Sequence, residues 1–348
     1  MNWQDAFLDQ AQSCASLGSP FNARLLTHLA ERGLPEGPVL DRITGWPGDI
    51  TSRGASLPLR VAGALHGLVL EGRAPGLAAT YPPTERDGLY ERACEAIRDE
   101  ADWINTRLDL PPQTNEVGRS AVLIAAAHWL AAVTGLPMRL SELGASAGLN
   151  LNFDHYALAG PGWQRGASDP AITLTPDWTG EAPPLAAISV TERAGADLLP
   201  LDPVRDRLRL LSYVWPDQAE RLARMQLALD LAARLGTRVE QVDAAAFLAH
   251  RLTPTPDGTL HLVYHTIAWQ YFPPETQARG LAALEAAGAE ATRARALARL
   301  GMEADDITGS AAVTATLWPG GRSYTLGRAD FHGRWIDWRA PRPEDVPW

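Results

Sequence analysis

The sequence of 348 residues contains no lysine, because all 31 basic residues are arginine. Without lysine, Schiff-base catalysis and the P-loop motif are excluded, since both require that side chain. Cysteine is nearly absent as well, and Cys14 and Cys94 alone cannot form a disulfide framework. The eight histidines do not show the H-x-x-x-H or H-E-x-x-H spacing of metal ligands. No metal site is therefore predicted.

A net positive charge and long apolar runs are also missing. The formal net charge of −10 argues against general nucleic-acid binding, which depends on clustered positive charge. The longest apolar segment, residues 120–138, is interrupted by His128, Gly135 and Pro137, so no membrane span is expected. The first residues are polar and acidic, unlike a secretory signal. We expect a cytoplasmic protein with a small-molecule partner, without membrane or nucleic-acid partners.

Apolar residues make up 46% of the chain and charged residues only 21%, as in a globular protein with a large core. Residues 1–112 show helical patterns separated by Gly/Pro turns. Two of these patterns end at Gly33 and Gly72, which suit helix C-caps. A long amphipathic pattern at 88–108 stops before two prolines at 111–112. The sequence predicts an all-helical N-terminal domain, or cap, over residues 1–112.

Residues 113–348 alternate between strand and helix patterns. Strand-like segments include 138–143, 186–197 and 259–269, and the chain ends in a hairpin pattern around residues 319–321. This order predicts an α/β domain with a Rossmann-like, doubly wound, mostly parallel sheet and an antiparallel C-terminal hairpin. A Gly/Pro/Trp-rich segment at about 160–185 is predicted to be an insertion. Ligands of such sheets bind beyond the carboxyl ends of the strands.

The turn after the first predicted strand, Gly144–Gly148, has the sequence Gly-Ala-Ser-Ala-Gly and two interpretations. As G-x-S-x-G, it matches the turn that presents a serine nucleophile in α/β-hydrolases. Ser146 would then be the nucleophile, and Asp243 or Asp330 with His332 would complete the triad. That turn normally follows several strands, however, whereas the residues before 138 show helical patterns. A cofactor-binding turn is the better interpretation.

In the cofactor interpretation, Gly144 and Gly148 allow the backbone to approach a ligand, and Ser146 replaces the more usual middle glycine. Glu142 lies at the end of the strand, two residues before the first glycine. A carboxylate there would repel a pyrophosphate but would stabilise a cation. The pattern therefore favours a sulfonium or amino group, as in S-adenosylmethionine, over a dinucleotide.

Two more acids are expected at the exits of the next two strands. Asp197, or alternatively Glu192, would bind the ribose hydroxyls after the second strand. Asp243 would reach the adenine amino group after the third strand. Any one of these acids, taken alone, is explained better as a helix cap or turn residue. Their succession after the glycine turn is more specific than any of them alone.

Several segments resemble the bacterial family named domain of unknown function 2332, whose members have a methyltransferase-like Rossmann core. The segments that carry this resemblance are 113–119, 142–156, 193–202, 214–225, 263–272 and 317–335. By fold analogy the resemblance implies S-adenosylmethionine as the cofactor. It implies a cofactor site made of Glu142, Gly144, Ser146, Gly148, Asp197 and Asp243. It also implies that His265 and Trp269 follow the fourth strand, where class I methyltransferases build the methyl-transfer face.

The polar segment before residue 120 has two interpretations. Asn115 caps the following helix with Glu116 in its first turn. Alternatively, Gln113, Asn115 and Arg119 face the carboxylate of the cofactor or a substrate, which a guanidinium can bind through two hydrogen bonds. His265 is the candidate general base, acting on the incoming nucleophile.

Three functions are therefore considered, in this order. The first is a methyltransferase that acts on a small molecule, with the helical N-terminal region as a cap. The second is a non-catalytic nucleoside-binding or interaction protein with the same fold, since a fold does not determine a function. The third is a serine hydrolase that uses Ser146.

Overall fold

A computed structural model describes residues 2–252 and 256–348 of the chain. It divides into two compact units. The first consists of Met1–Thr114 and Arg205–Gln226, and the second of Asn115–Val204 and Leu227–Trp348. The segment Arg205–Gln226 thus belongs with the helical N-terminal region, whereas the sequence patterns had assigned it to the α/β domain.

The helices and strands of the described residues follow the chain in one numbering for each class. The α-helices are α1 (Trp3–Ser16), α2 (Pro20–Arg32), α3 (Pro38–Thr44), α4 (Leu57–Leu70), α5 (Pro75–Ala78), α6 (Leu89–Asp99), α7 (Ala101–Leu108), α8 (Ser120–Thr134), α9 (Arg207–Ser212), α10 (Ala219–Leu235), α11 (Ala244–Arg251) and α12 (Pro274–Ala289). The strands are β1 (Met138–Leu143), β2 (Tyr156–Gly160), β3 (Trp163–Gly166), β4 (Ile172–Leu174), β5 (Asp177–Thr179), β6 (Val190–Asp197), β7 (Val239–Gln241), β8 (Thr259–Thr266), β9 (Arg295–Ala304), β10 (Ala311–Trp318), β11 (Arg322–Ala329) and β12 (Trp335–Trp338). Short 3-10 segments lie at Val117–Arg119, Leu149–His155, Trp269–Tyr271 and Pro343–Asp345.

The first unit is helical in its described residues, as the sequence predicts for residues 1–112. Its helices begin and end at ordinary local signals: Ser19 accepts a hydrogen bond at the start of α2, Pro20 is the first residue, and Gly33 follows the last turn at a φ of 89°. The apolar faces of α1, α2, α4 and α6 form one core cluster that includes Phe7, Leu29 and other fully buried side chains. The predicted single helix over 88–108 is two helices, α6 and α7.

The second unit contains a nine-stranded sheet in the order β5-β12-β11-β10-β9-β8-β1-β6-β7. Strands β7, β6, β1, β8 and β9 are parallel neighbours. Strands β9 to β12 are antiparallel, and β10 and β11 form the hairpin predicted around residues 319–321. A mixed α/β architecture with a mostly parallel sheet and an antiparallel C-terminal run is therefore confirmed.

The order of the parallel strands reverses beside β1. From β1 the chain continues to β6 and β7 on one side, and then crosses to β8 and β9 on the other side. The loops that leave β1 and β8 therefore run in opposite directions. In open parallel sheets a crevice forms at such a reversal, beyond the carboxyl ends of the strands.

The segment predicted as an insertion, about 160–185, contains short strands. Strands β3 and β4 flank β2 in a separate three-stranded sheet. Strand β5 pairs with β12 and so forms the edge of the main sheet.

Helix α8 is the most apolar helix of the second unit. Within the described residues, Val117–Thr134 is long and apolar enough to cross a membrane by length and composition, but 78% of it is buried inside the structure. Its large side chains are covered by protein: Trp129 is fully buried, and its indole nitrogen donates to the carbonyl of Pro341 at 2.8 Å. The helix is thus a core helix of this unit.

Candidate functional site

The carboxyl ends of three adjacent parallel strands define the candidate site. Strand β1 ends in the turn Gly144–Gly148, β6 ends at Asp197, and β8 ends at Thr266 before a 3-10 segment. Because β6, β1 and β8 are neighbours in the sheet, these exits lie at one edge. The sequence-predicted residues Glu142, Asp197 and His265 are brought to this edge.

In the turn after β1, every second residue has a left-handed backbone conformation. Gly144, Ser146 and Gly148 have φ angles of 70°, 53° and 71°. The amides of Gly144 and Ala145 donate to the carbonyl of Ala196 at 2.9 and 3.0 Å, so the turn is hydrogen-bonded to the end of β6. The turn therefore has a fixed shape before any ligand arrives.

Protein atoms explain why the turn needs its glycines. A Cβ at Gly144 would lie 2.5 Å from the Cβ of Ala268, and one at Gly148 would lie 2.8 Å from Cγ2 of Thr237. Both distances are shorter than real carbon contacts, and both glycines also have positive φ angles. The sequence argument attributed the glycines to a close approach of a ligand, whereas the approaching groups are side chains of this chain.

Glu142 is enclosed just below the turn. It retains only 2% of its surface exposed, and its Oε2 has no hydrogen-bond partner. In the register of the parallel pair, Glu142 lies opposite Tyr264 of β8. Burial raises the pKa of Glu142 well above its usual value; the nearby Asp197 raises it further and Arg119 opposes the shift. A buried carboxyl oxygen without a partner is rare and calls for a donor or a cation.

Asp197 holds the turn from the adjacent strand. Its Oδ2 accepts from the amide of Ser146 at 2.9 Å, and its Oδ1 accepts from the amide of Leu199 at the same distance. The alternative acid, Glu192, is paired with Arg251 and is the third residue of β6, five positions before Asp197 and away from the carboxyl end of the strand. Asp197 is thus the acid at the exit of β6.

Two other predicted site residues have partners elsewhere. Asp243 is the N-cap of α11: its side chain accepts from two amides of the first turn, from Thr276 and from Arg279. These bonds are those of a helix cap that also ties α11 to α12. Gln113 belongs to the first unit, where its Oε1 accepts from Arg209 at 3.5 Å.

Asn115 fixes the segment that follows the glycine turn. Its Oδ1 accepts from the amide of Leu149 at 2.8 Å, at the start of the 3-10 segment. The cap expected from Asn115 is not formed; instead the side chain of Glu116 accepts from the amide of Gly118 and caps the 3-10 segment Val117–Arg119, which leads into α8. Asn115 is 4% exposed and therefore serves the turn from inside the protein.

Arg119 connects the exit of β8 with the loop before β12. Its Nη1 donates to the carbonyl of Thr266 at 3.0 Å, and its Nε donates to the carbonyl of Phe331 at 2.9 Å. The neighbouring Gly118 packs against this loop so closely that a Cβ would lie 2.2 Å from the carbonyl oxygen of His332. Arg119 thus places a positive charge near Glu142 while it holds two backbone segments.

His265 is held from both sides of its ring. Its Nδ1 lies 2.7 Å from Oε1 of Glu303, and its Nε2 accepts from Nε of Arg299 at 3.1 Å. The proton of the neutral ring is therefore on Nδ1. Burial lowers the pKa of His265. Its ring also stacks on the indole of Trp269, with 5.1 Å between the ring centroids. Neither nitrogen is open to a substrate in this arrangement, so the geometry does not favour the predicted role of general base.

Glu303 was not found by sequence reasoning, although it organises the exit of β8. The same Oε1 that meets His265 accepts from the amides of Ala268 and Trp269, both at 3.1 Å. Just before them, Ile267 has a φ of 51°, an unfavourable conformation for a β-branched residue. In the described part of the second unit, the non-glycine residues with positive φ are Ile267 and Ser146. Such strain concentrates at functional sites, and here both residues follow neighbouring strands.

The hydrolase arrangement is not formed. The positive φ of Ser146 suits a nucleophile turn, but its Oγ is buried and has no hydrogen-bond partner, so no histidine pairs with it. Asp330 binds Arg334 through both carboxyl oxygens and accepts from the backbone amide of His332. Its role is to shape the loop before β12.

Comparison with known proteins identifies one family. The profile of the family described as "Uncharacterized protein conserved in bacteria (DUF2332)" matches residues 4–338. No curated protein matches the chain significantly. No solved structure does so either.

Proposed function

We propose that this protein, which belongs to the DUF2332 family, binds S-adenosylmethionine at the carboxyl edge of its sheet and transfers the methyl group to a small molecule. The observation that carries the proposal is Glu142. A carboxyl group that is almost fully enclosed, with one oxygen unpartnered, lies at the end of the central parallel strand. A positively charged ligand group would supply the missing partner.

The strand order supports a Rossmann-like core. Numbered along the chain, the parallel strands β1, β6, β7, β8 and β9 are first to fifth, and their order in the sheet is third, second, first, fourth, fifth. This is the order of doubly wound nucleotide-binding sheets, in which the ligand lies at the reversal beside the first strand. Glu142 and the glycine turn are at that reversal.

The residues present fit a cationic nucleoside better than a nucleotide with free phosphates. Asp197 and Glu142 bring two carboxyl groups to the exits of adjacent strands, and the turn between them donates amides to protein acceptors. Phosphates would meet acids instead of the free amides that bind them in phosphate-binding turns. The hydroxyls of a ribose can also donate to Asp197, because each carboxylate oxygen of Asp197 can accept a further hydrogen bond.

S-adenosylmethionine, when bound, supplies an electrophilic methyl group on a sulfonium. The contribution of this chain is to bind the cofactor, to align the acceptor with the methyl carbon and to exclude water. His265 and Glu303 hold the exit of β8 in its strained form, with Trp269 stacked on the histidine ring. We assign His265 to positioning this segment and not to proton transfer.

Isothermal titration with S-adenosylmethionine and S-adenosylhomocysteine tests the proposal. We expect binding of S-adenosylmethionine by the wild type, and a loss of about 10- to 100-fold in affinity for Glu142→Gln, because a charge-assisted contact is removed. Glu290→Gln makes the same chemical change at an exposed position at the end of α12 and should bind like the wild type.

Absence of binding for both compounds would contradict the proposal. Labelling of Ser146 by a fluorophosphonate that is abolished in Ser146→Ala would support the serine-hydrolase function in its place. Binding without methyl transfer to any fraction of a bacterial metabolite extract would leave a nucleoside-binding protein, the second function considered.

A further inference from the structure

Titratable groups from four elements surround buried Glu142 closely enough to act on it electrostatically. Tyr264 lies opposite it on β8, and the others are Tyr156 of β2, Asp197 of β6 and Arg119 of the 3-10 segment before α8. Asp197 repels a negative charge on Glu142, whereas Arg119 attracts it. The guanidinium of Arg119 also donates to two backbone carbonyls, so its charge is shared with those acceptors.

Tyr264 directs its proton away from Glu142. A phenol has one proton to donate, and the Tyr264 hydroxyl donates it to the carbonyl of Asn150 at 3.2 Å. The carboxyl group of Glu142 therefore receives no proton from Tyr264 in this arrangement, and its Oε2 has no hydrogen-bond partner. A buried carboxyl oxygen without a donor disfavours the ionised form.

We propose that Glu142 carries a proton in the ligand-free protein and exchanges it for the positive charge of the ligand, so that one proton leaves for each cation bound. The inference rests on the proposed function, because it assigns the cation to S-adenosylmethionine. On binding, the cation contacts Oε2, which has no partner in the free protein, and Tyr264 can turn its proton toward the ionised carboxylate.

Burial supplies the physical reason for the exchange. The enclosed site disfavours an isolated negative charge and raises the pKa of Glu142, with Asp197 adding to the effect and Arg119 opposing it. A bound cation reverses this balance by favouring the ionised form. The protein thereby selects a ligand with a fixed positive charge, and its affinity depends on pH.

The dissociation constant of S-adenosylmethionine should be measured between pH 5.5 and 7. Below the pKa of Glu142, linkage predicts a tenfold tightening for each pH unit. An amino group such as that of the ligand titrates at about 7.7–8.0 and contributes little in this range. Titration in two buffers of different ionisation enthalpy counts the protons released. We expect about one for the wild type and for Glu290→Gln, and none for Glu142→Gln.

The two ligands identify the cation that is exchanged. A pH dependence for S-adenosylmethionine alone assigns the sulfonium, and a dependence for S-adenosylhomocysteine as well assigns the ammonium; either result supports the exchange. Binding with a flat pH profile and no proton release would overturn the exchange and leave the proposed function standing. No binding at any pH would overturn both.

A measurement on the free protein keeps the inference independent of the ligand. The infrared difference between wild type and Glu142→Gln at pH 6.5 should contain the C=O band of a protonated carboxyl group. If the difference instead shows only the bands of a carboxylate, Glu142 is ionised in the free protein and the exchange is refuted.

Discussion

Replacing Gly144 with alanine tests how the glycine turn is held against the exit of β8. The added Cβ would lie 2.5 Å from the Cβ of Ala268 and would force a left-handed φ of 70° on a residue with a side chain. The conformational penalty is about 1–2 kcal/mol, and overpacking in a rigid interior costs typically about 1–3 kcal/mol. We expect the free energy of unfolding to fall by about 2–5 kcal/mol in urea denaturation.

Gly135→Ala is the matched control. Gly135 also lies in the second unit, has a φ of 69°, and would place a Cβ with no atom within 4 Å. It therefore carries the conformational penalty without the clash, about 1–2 kcal/mol. Adding Ala268→Gly to Gly144→Ala should restore about 1 kcal/mol or more in a double-mutant cycle. Equal losses for the two glycine variants, with no coupling to residue 268, would refute the packing described for this turn.

Three further predictions concern buried charge and capping. Glu142→Gln should stabilise the free protein increasingly as pH rises from 5 to 8. The raised pKa of Glu142 keeps its proton in the folded state, whereas the unfolded chain loses it above about pH 4.3. The stability of the wild type therefore falls as pH rises, and the glutamine variant does not share this loss. A constant difference across this range in urea denaturation would contradict the burial of a protonated acid. Asp243→Ala should lower stability by about 1 kcal/mol through loss of the α11 cap, and Asp243→Asn should retain most of it; equal losses would argue against capping. The free energy of unfolding should fall as pH drops from about 6.5 toward 4. Burial lowers the pKa of several histidines in the folded protein, so these rings gain their charge on unfolding. Their ring NMR shifts at pH 5 should be those of neutral imidazole, and the shifts of charged rings at that pH would contradict this prediction. These histidines are His66, His128, His261 and His265.

Much of the fold was predictable because local signals agree with the tertiary structure. The first strand was expected at 138–143 and β1 has these bounds, since an apolar run lies between Pro137 and Gly144. The break between α6 and α7 was not predicted, because the amphipathic pattern continues through Glu100. Trp103 of α7 packs directly against Gly67 of α4, so that a Cβ at Gly67 would lie 2.8 Å from the indole ring. That contact with α4 depends on residues far apart in the chain.

The candidate site was predictable only in part. The sequence located Glu142, Asp197 and the glycine turn, because acids and glycines after apolar strands are visible in one dimension. It did not pair Glu142 with Tyr264, since that partnership requires β1 and β8 to be neighbours in register. The alternation in β8, which places Tyr264 on one face and His265 on the other, was the available signal. Likewise, Glu303 meets His265 only because β9 pairs with β8.

The crystal structure of the protein with S-adenosylmethionine would test the central claim most directly. The account predicts the cofactor at the carboxyl ends of β1 and β6, with its sulfonium or ammonium within about 4 Å of Oε2 of Glu142, the range over which opposite charges interact strongly. A complex in which the cofactor binds elsewhere, or in which Oε2 of Glu142 faces only protein atoms, would contradict it.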